Sequence, residues 1–459
     1  MKHRHNYVVV LIILMAVFFL HPLQAQTYSV LYNFGAMPGD AQGPYLGLLA
    51  QGRDGSLYST TPGGGTQGRG AVFKVTLEGN ATVLYSFDST HGQVPFGGLT
   101  LGTDGDFYGT TWSGGAYAVG NIFKIAPNGS LTVLYNFTGA SDGGNPYASP
   151  IEGVDGNFYG TTWYTAAQGC GTVYKITPAG SLTTLHTFSG TDGCMPVAPL
   201  VEANDGNFYG TTQLGGPNNF GEVFRVTPSG IFTLLAGFDN TDGGDPYAPV
   251  IQATDGNLYG TASGWGSFGW GTVYKITPNG ILTDLYNFNG QMDSGGPYAG
   301  LVQATDRNLY GVASGAGFSD GTLYSINGQG IFSVLHTFDG TSGSDPNVAL
   351  LRHTNGTLYG DTSQGGTYTY GTVFSLAMGL KPFVSVLPKA GKIGKTIEIL
   401  GQGFKGATAV SFAGVPAKFK VLEDTFLAAT VPGGARTGSV TVTTPNGTLT
   451  SNKRFIVIP

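Results

Sequence analysis

The eight residues Asp205-Gly206-Asn207-Phe208-Tyr209-Gly210-Thr211-Thr212 are one copy of a phrase that recurs down most of the chain. Its anchor falls at Asp54, Asp104, Asp155, Asp205, Asp255, Asp306 and Asn355, so successive copies lie 50, 51, 50, 50, 51 and 49 residues apart. A period of this size restricts the chain to an array of one supersecondary unit, stacked or circular. Each unit holds four short runs rich in β-branched and aromatic residues and bounded by Gly, Pro, Asn and Asp. Around Asp205 the runs are 198–203, 207–212, 222–227 and 231–238. Asp-Gly turns the chain between the first two, 215–221 is a Gly/Asn/Pro loop, and Pro228-Ser229-Gly230 is a tight turn. Four short strands per unit predict an all-β chain with the plan of a β-propeller.

The ends of the array predict how it closes. The last unit stops after its third run, Thr372-Val373-Phe374-Ser375-Leu376. The chain begins with a spare fourth run, Thr27-Tyr28-Ser29-Val30-Leu31-Tyr32-Asn33-Phe34, which matches Leu134-Tyr135-Asn136-Phe137 and Leu285-Tyr286-Asn287-Phe288. The expectation is a seven-bladed propeller over residues 27–380, closed by the N-terminal strand so that no open sheet edge is left. The 77 glycines follow from the number of tight turns, and 41% hydrophobic with 12% aromatic residues argues against a disordered Gly-rich chain.

Residues 1–25 read as a secretory signal peptide. Lys2 and Arg4 precede an apolar run over 7–20, and Leu23-Gln24-Ala25 offers a cleavage site. The run is short for a membrane span, although an uncleaved anchor is the alternative. The expected location is secreted or cell-surface, with the periplasm as a further compartment and no stable membrane span after cleavage. Residues 26–381 hold 10 Lys/Arg against 24 Asp/Glu, whereas 382–459 hold 9 against 3, which marks a boundary near Lys381-Pro382. So acidic a larger part is a poor partner for nucleic acid.

Two resemblances follow from these motifs. The Asp-Gly-Asn-Phe/Leu-Tyr-Gly-Thr-Thr phrase, with Gly271-Thr272-Val273-Tyr274-Lys275-Ile276-Thr277-Pro278-Asn279-Gly280 after it, resembles the tandem repeat of bacterial "choice-of-anchor GloVer-repeat" surface proteins. That resemblance implies export and no established activity. Arg307 in place of the turn Gly, and Asn355 in place of the Asp, are local departures from the phrase. Residues 382–459 resemble an IPT/TIG domain, an immunoglobulin-like β-sandwich, through Pro388-Lys389-Ala390-Gly391, Ile399-Leu400-Gly401-Gln402-Gly403-Phe404, Val410-Ser411-Phe412-Ala413-Gly414 and Val442-Thr443-Thr444-Pro445-Asn446-Gly447. Such domains are usually spacers or binding modules.

Catalytic and metal-binding constellations are nearly absent from the pattern, so neither a cofactor nor a metal is expected. His91, His186, His336 and His353 fall in different units without ligand spacing, and His186 and His336 occupy a strand position held elsewhere by Tyr135 or Tyr286. Asp142, Asp192, Asp242 and Asp293 recur in the loop that joins one unit to the next. They read as turn-forming carboxylates rather than a shared Ca²⁺ site. Cys170 and Cys194 are the only cysteines, and their loops emerge on one face, which makes them a disulfide candidate in an oxidising compartment.

The best functional lead is aromatic. Trp112, Tyr117, Trp163, Tyr164, Phe220, Trp265, Phe268, Trp270, Phe318, Tyr368 and Tyr370 all lie in the loops between second and third runs, where the units differ most. Variable aromatic loops on a rigid scaffold suit a binding face for a glycan or a surface protein. Rings folded back to plug the loops are the plainer alternative. The sequence therefore favours a monomeric, exported, non-catalytic binding or adhesion protein. A polysaccharide lyase or hydrolase on the same scaffold, or a purely structural envelope component, are the competing readings.

Overall fold

In the computed structural model, which describes residues 26–165 and 168–458, the repeats form seven four-stranded antiparallel sheets. The leader read over 1–25 lies outside the described residues. In the unit anchored on Asp205 the strands are Val201–Glu202, Phe208–Thr212, Glu222–Val226 and Phe232–Gly237, hydrogen-bonded in that order. The second strand is buried at every position in all seven sheets, which is why it carries the most regular part of the phrase.

Each residue of the phrase is used within its own unit. The Asp Oδ1 accepts the N–H two residues on, as in Asp205 to Asn207 at 3.1 Å, and holds the turn. Its Oδ2 accepts the hydroxyl of the tyrosine four residues on, at 2.7–3.0 Å in six units. In the seventh unit Asn355 Nδ2 donates to the Tyr359 hydroxyl instead, at 2.9 Å. The turn glycine has positive φ, +78° at Gly206, and Arg307 holds the same left-handed conformation at 70°. The tyrosine ring then stacks on the next unit, as Tyr58 on Phe107, Tyr108 on Phe158 and Tyr159 on Phe208, with centroids 3.8–4.3 Å apart.

Neighbouring units share three further contacts. Backbone N–H groups of Thr103, Asn204 and Thr254 donate to the side chains of Glu152, Gln252 and Gln303 in the following unit. Hydroxyls of Thr110, Thr161, Thr211 and Thr261 donate to carbonyls of Ala148, Ala198, Ala248 and Ala299. Apolar clusters run across each seam. The first and third of these contacts also join the seventh unit to the first, where Asp361 takes the place of the hydroxyl donor. Thr354 N–H donates to Gln51 Oε1 at 3.0 Å, and Tyr359 and Val373 pack with Phe34, Leu57 and Phe73. The strand Thr27–Asn33 pairs antiparallel with Thr372–Ala377 and fills the fourth place in the last sheet.

Residues 385–458 form two four-stranded sheets and a two-stranded parallel ribbon around Ile397, Ile399, Phe404, Val410, Phe412, Leu427, Val440, Val442 and Phe455. They rest on the Asp-Gly turn end of the repeats. Leu400 and Phe426 join the apolar cluster of Leu101 and Phe107, and the Arg53 guanidinium lies 4.8 Å over the Phe426 ring and pairs with Glu398. Lys389 pairs with Glu202 at 3.1 Å, Phe383 N–H donates to Thr354 O at 3.0 Å, and Arg352 lies over the Phe383 ring.

Candidate functional site

Because strands alternate in direction, the second-to-third loops and the loops connecting one unit to the next emerge together, opposite the Asp-Gly turns. Short bridges stitch the two sets: Gln93 to Ser113, Gly144 to Tyr164, Cys194 to Leu214, Gly244 to Gly264 and Ser344 to Gln364. Cys170 and Cys194, one from each set, are joined as a disulfide with Cα atoms 4.4 Å apart.

The recurring loop carboxylates are consumed locally. Asp142 accepts from the Tyr135 hydroxyl and Thr138 N–H, and Asp293 accepts from the Tyr286 hydroxyl and the N–H groups of Asn289 and Gly290. Asp192 bonds Ser189 and His186, and loop hydrogen bonds hold its carboxyl below the usual range against the opposing push of burial. Asp242 accepts from Asp239 N–H. His186 stacks on Phe232 at 3.9 Å and His336 on Tyr28 at 3.8 Å, as strand residues. Among the described residues no group of three or more His, Cys, Asp or Glu is placed to hold a metal ion.

The loop aromatics divide. Tyr117, Tyr164, Trp265, Phe268, Phe318, Tyr368 and Tyr370 are exposed, Phe318 the most at 81%. Trp112, Trp163, Phe220 and Trp270 are half-buried. Trp270 packs edge-on against Phe318 and Phe220 against Trp265, at 5.3 and 5.2 Å. Trp112 and Trp163 both lean on Tyr147, at 6.4 and 6.0 Å.

Tyr147 belongs to a set that the loop reading passed over. Each connecting loop ends in a proline, followed by Tyr45, Phe96, Tyr147, Val197, Tyr247, Tyr298 and Asn347 in the seven units. The residue before each proline has φ between 54° and 63°: Gly43, Val94, Asn145, Met195, Asp245, Gly296 and Asp345. Each of these residues donates its N–H to a carbonyl of the adjacent second-to-third loop, as Gly43 does to Tyr370 and Asp245 to Phe220, both at 2.9 Å. This left-handed bend, uncommon before proline, is repeated in every unit. It brings five of the seven following residues, Tyr147, Val197, Tyr247, Tyr298 and Asn347, to a common cavity of about 30 Å³, which the first two units line with Leu46, Leu48 and Gly97 instead. Tyr45, Phe96 and Tyr147 form one contiguous wall, with Phe96 stacked on Tyr147 at 5.2 Å. Tyr247 and Tyr298 form a second, 5.7 Å apart and edge-on. Burial pushes all four tyrosine hydroxyls up in pKa, and Tyr247 also feels Tyr45, Tyr147, Asp245 and Tyr298. The sequence signal was a Pro-Tyr or Pro-Phe pair recurring in five of seven units.

The fold and its looped face define an all-β tandem-repeat protein with an appended immunoglobulin-like module. The profile of the Gloeobacter/Verrucomicrobia repeat matches residues 16–219 and 200–385, and the chain belongs to that family. The IPT/TIG domain matches residues 383–457. No curated protein matches the chain. Among solved structures, one described as the extracellular domain of a hybrid two-component system from B. thetaiotaomicron aligns with a TM-score of 0.51 at 11% identity, over 95% of this chain and 59% of that one. A fungal alcohol oxidase in complex with copper aligns at 0.49 and 16%, over 91% and 98%, and a 6-phosphogluconolactonase from Bacteroides uniformis at 0.43 and 17%, over 63% and 83%. At these identities the likeness concerns the fold, and the oxidase and lactonase carry no argument about chemistry. Among the described residues no helix is long and apolar enough to cross a membrane.

Proposed function

We propose that this chain is an exported, non-catalytic binding protein whose ligand face is the loop face, with a glycan as the first ligand class and a surface protein as the second. Residues 27–380 are read as a seven-bladed propeller closed by the N-terminal strand, and 382–459 as an IPT/TIG module docked on the opposite face. Closure is supported by the seam between the last and first units, which repeats the backbone-to-side-chain hydrogen bond and the apolar cluster of the other seams. The observation that carries the binding reading is the concentration of unburied aromatic surface on one face, with seven exposed rings around an axial mouth of five more. Flat rings with polar edges fit sugar faces, and a rigid scaffold limits the ordering cost of binding. The docked module leaves that face uncovered, because its contacts are at the turn end.

The test is a glycan array probed with the full chain and with a Trp265→Ala/Phe268→Ala variant. Loss of signal in the variant, with unchanged thermal unfolding, is the expected result. Equal signal from both would remove these residues from the site. Product release from a polysaccharide panel by the wild-type chain would replace the binding reading with an enzymatic one.

A further inference from the structure

The loop face is charged with one sign. The connecting and second-to-third loops together carry eleven aspartates and one arginine, Arg69, with no lysine and no glutamate. Arg69 is engaged by Gln93. Lys74, Lys124 and Lys175 pair with carboxylates at the turn end instead, and Arg53 and Arg352 meet the C-terminal module there. A face of one sign around a concave mouth concentrates counter-charged ligands.

The mouth itself holds polar groups without partners. Asn347, 6% exposed, lines the cavity between the two aromatic walls, and its buried Oδ1 has no hydrogen-bond partner. Asp245 lies two residues before Tyr247, beside the cavity lining rather than in it, with its Oδ1 buried and unpartnered and its charge felt by the Tyr247 and Tyr298 hydroxyls. Asp345 lies at the same position before Asn347, with one carboxylate oxygen bonded to Ser363 at 2.8 Å. Among the described residues, the hydroxyls of Tyr45, Tyr147, Tyr247 and Tyr298 make no hydrogen bond, whereas the tyrosines of the second strands are bonded to the anchor Asp or Asn. Unsatisfied buried acceptors call for a ligand that brings N–H donors. Aromatic walls and two carboxylates favour one that is also cationic.

We propose that the axial mouth binds a protonated amino sugar, its ring lying against the aromatic walls and its ammonium directed at Asn347 Oδ1 and the carboxylates of Asp245 and Asp345. The inference rests on the glycan reading of this face. A cavity of about 30 Å³ admits little more than one water, so the sugar lies across the mouth rather than threading the axis.

The experiment is calorimetric titration of the full chain with a short glucosamine oligomer and with its N-acetylated counterpart, which differ in the charge on nitrogen. The glucosamine oligomer should bind at least about tenfold more tightly, and the Asp245→Asn/Asp345→Asn double variant should lose that advantage. Asparagine suits both positions, since Asn145 already holds the same conformation at φ 54°. Unchanged thermal unfolding of the variant excludes misfolding. Equal affinity for the two oligomers overturns the ammonium site and leaves the glycan reading standing. Binding of neither overturns the site, and a silent glycan array as well removes the glycan reading with it. Preferential capture of a lysine-rich peptide over the glucosamine oligomer also overturns it, in favour of a protein ligand.

Discussion

Replacing Glu222 by threonine should make the chain more stable, and by an amount that depends on pH. Glu222 opens the third strand of the fourth unit and is fully buried. Thr172, Thr272, Thr322 and Thr372 hold this position in other units, and each donates its hydroxyl to a connecting-loop carbonyl at 3.0–3.4 Å. Neither Glu222 carboxyl oxygen has a partner, nor has the neighbouring Thr212 hydroxyl. Burial, assisted by Asp192, pushes the carboxyl from the usual 4.5 up to about 8. A group whose folded pKa is raised holds its proton more tightly in the folded state, so its contribution is intact below about pH 4.5 and lost as pH rises through 8. At pH 7 the loss spans roughly 2.5 pH units at about 1.4 kcal/mol each, or about 3.5 kcal/mol. Threonine removes this term and restores a donor. Urea unfolding of both proteins at about pH 5, 7 and 8.5 should show Glu222→Thr ahead by about 3.5 kcal/mol at pH 7, with a smaller gap at pH 5 and a larger one at 8.5. A gap that stays constant over that range would refute the reasoning, since an unpaired buried carboxyl must titrate.

Asp361 repeats the problem at the seam between the last and first units. It is buried with both oxygens unpartnered, at the place where Thr110 and Thr211 donate to a neighbouring carbonyl, and burial raises its pKa well above the usual range. Asp361→Thr should raise the melting temperature, more at pH 8 than at pH 4, and an unchanged melt at both would reject this. Deleting residues 27–33 should lower stability by several kcal/mol, because Tyr28 loses its stacking on His336 and its hydroxyl bond to Ser342 O at 2.6 Å, and the Thr372–Ala377 edge is bared. Wild-type thermal unfolding in that deletion would defeat the closed-ring reading. Cys170→Ser/Cys194→Ser should cost about 3 kcal/mol for a closed loop of this length, with sequence separation 24, measured as a shift in denaturant midpoint. Phe426→Ala should cost about 3 kcal/mol at the docking surface and let limited proteolysis part the C-terminal module from the repeats, an outcome that an intact fragment pattern would contradict.

The repeats were legible because the phrase is locally self-sufficient: Asn207 and Tyr209 both donate to Asp205 inside eight residues, so their spacing alone records the structure. The spare strand at residue 27 was legible for the same reason, as a copy without a unit. The axial mouth was not. Tyr45 and Tyr298 are far apart in the chain, and only the packing of the units on one another brings their hydroxyls near each other. Exposure of the loop tryptophans was equally hidden, since Trp112 and Trp163 are covered by Tyr147 from a different loop class. The Cys170–Cys194 spacing fixed a shared face but not the 4.4 Å approach of the two backbones.

The pairing of Thr27–Asn33 with Thr372–Ala377 also orders events during synthesis. The strand Thr27–Asn33 has no partner until residues 372–377 have been made. Six sheets can form in sequence as they emerge, while the seventh waits for residues 372–377. A chain halted anywhere before that point leaves Thr27–Asn33 unpaired, the kind of species that aggregates or is degraded. Completion of the last sheet therefore requires both ends of the repeat array in one chain.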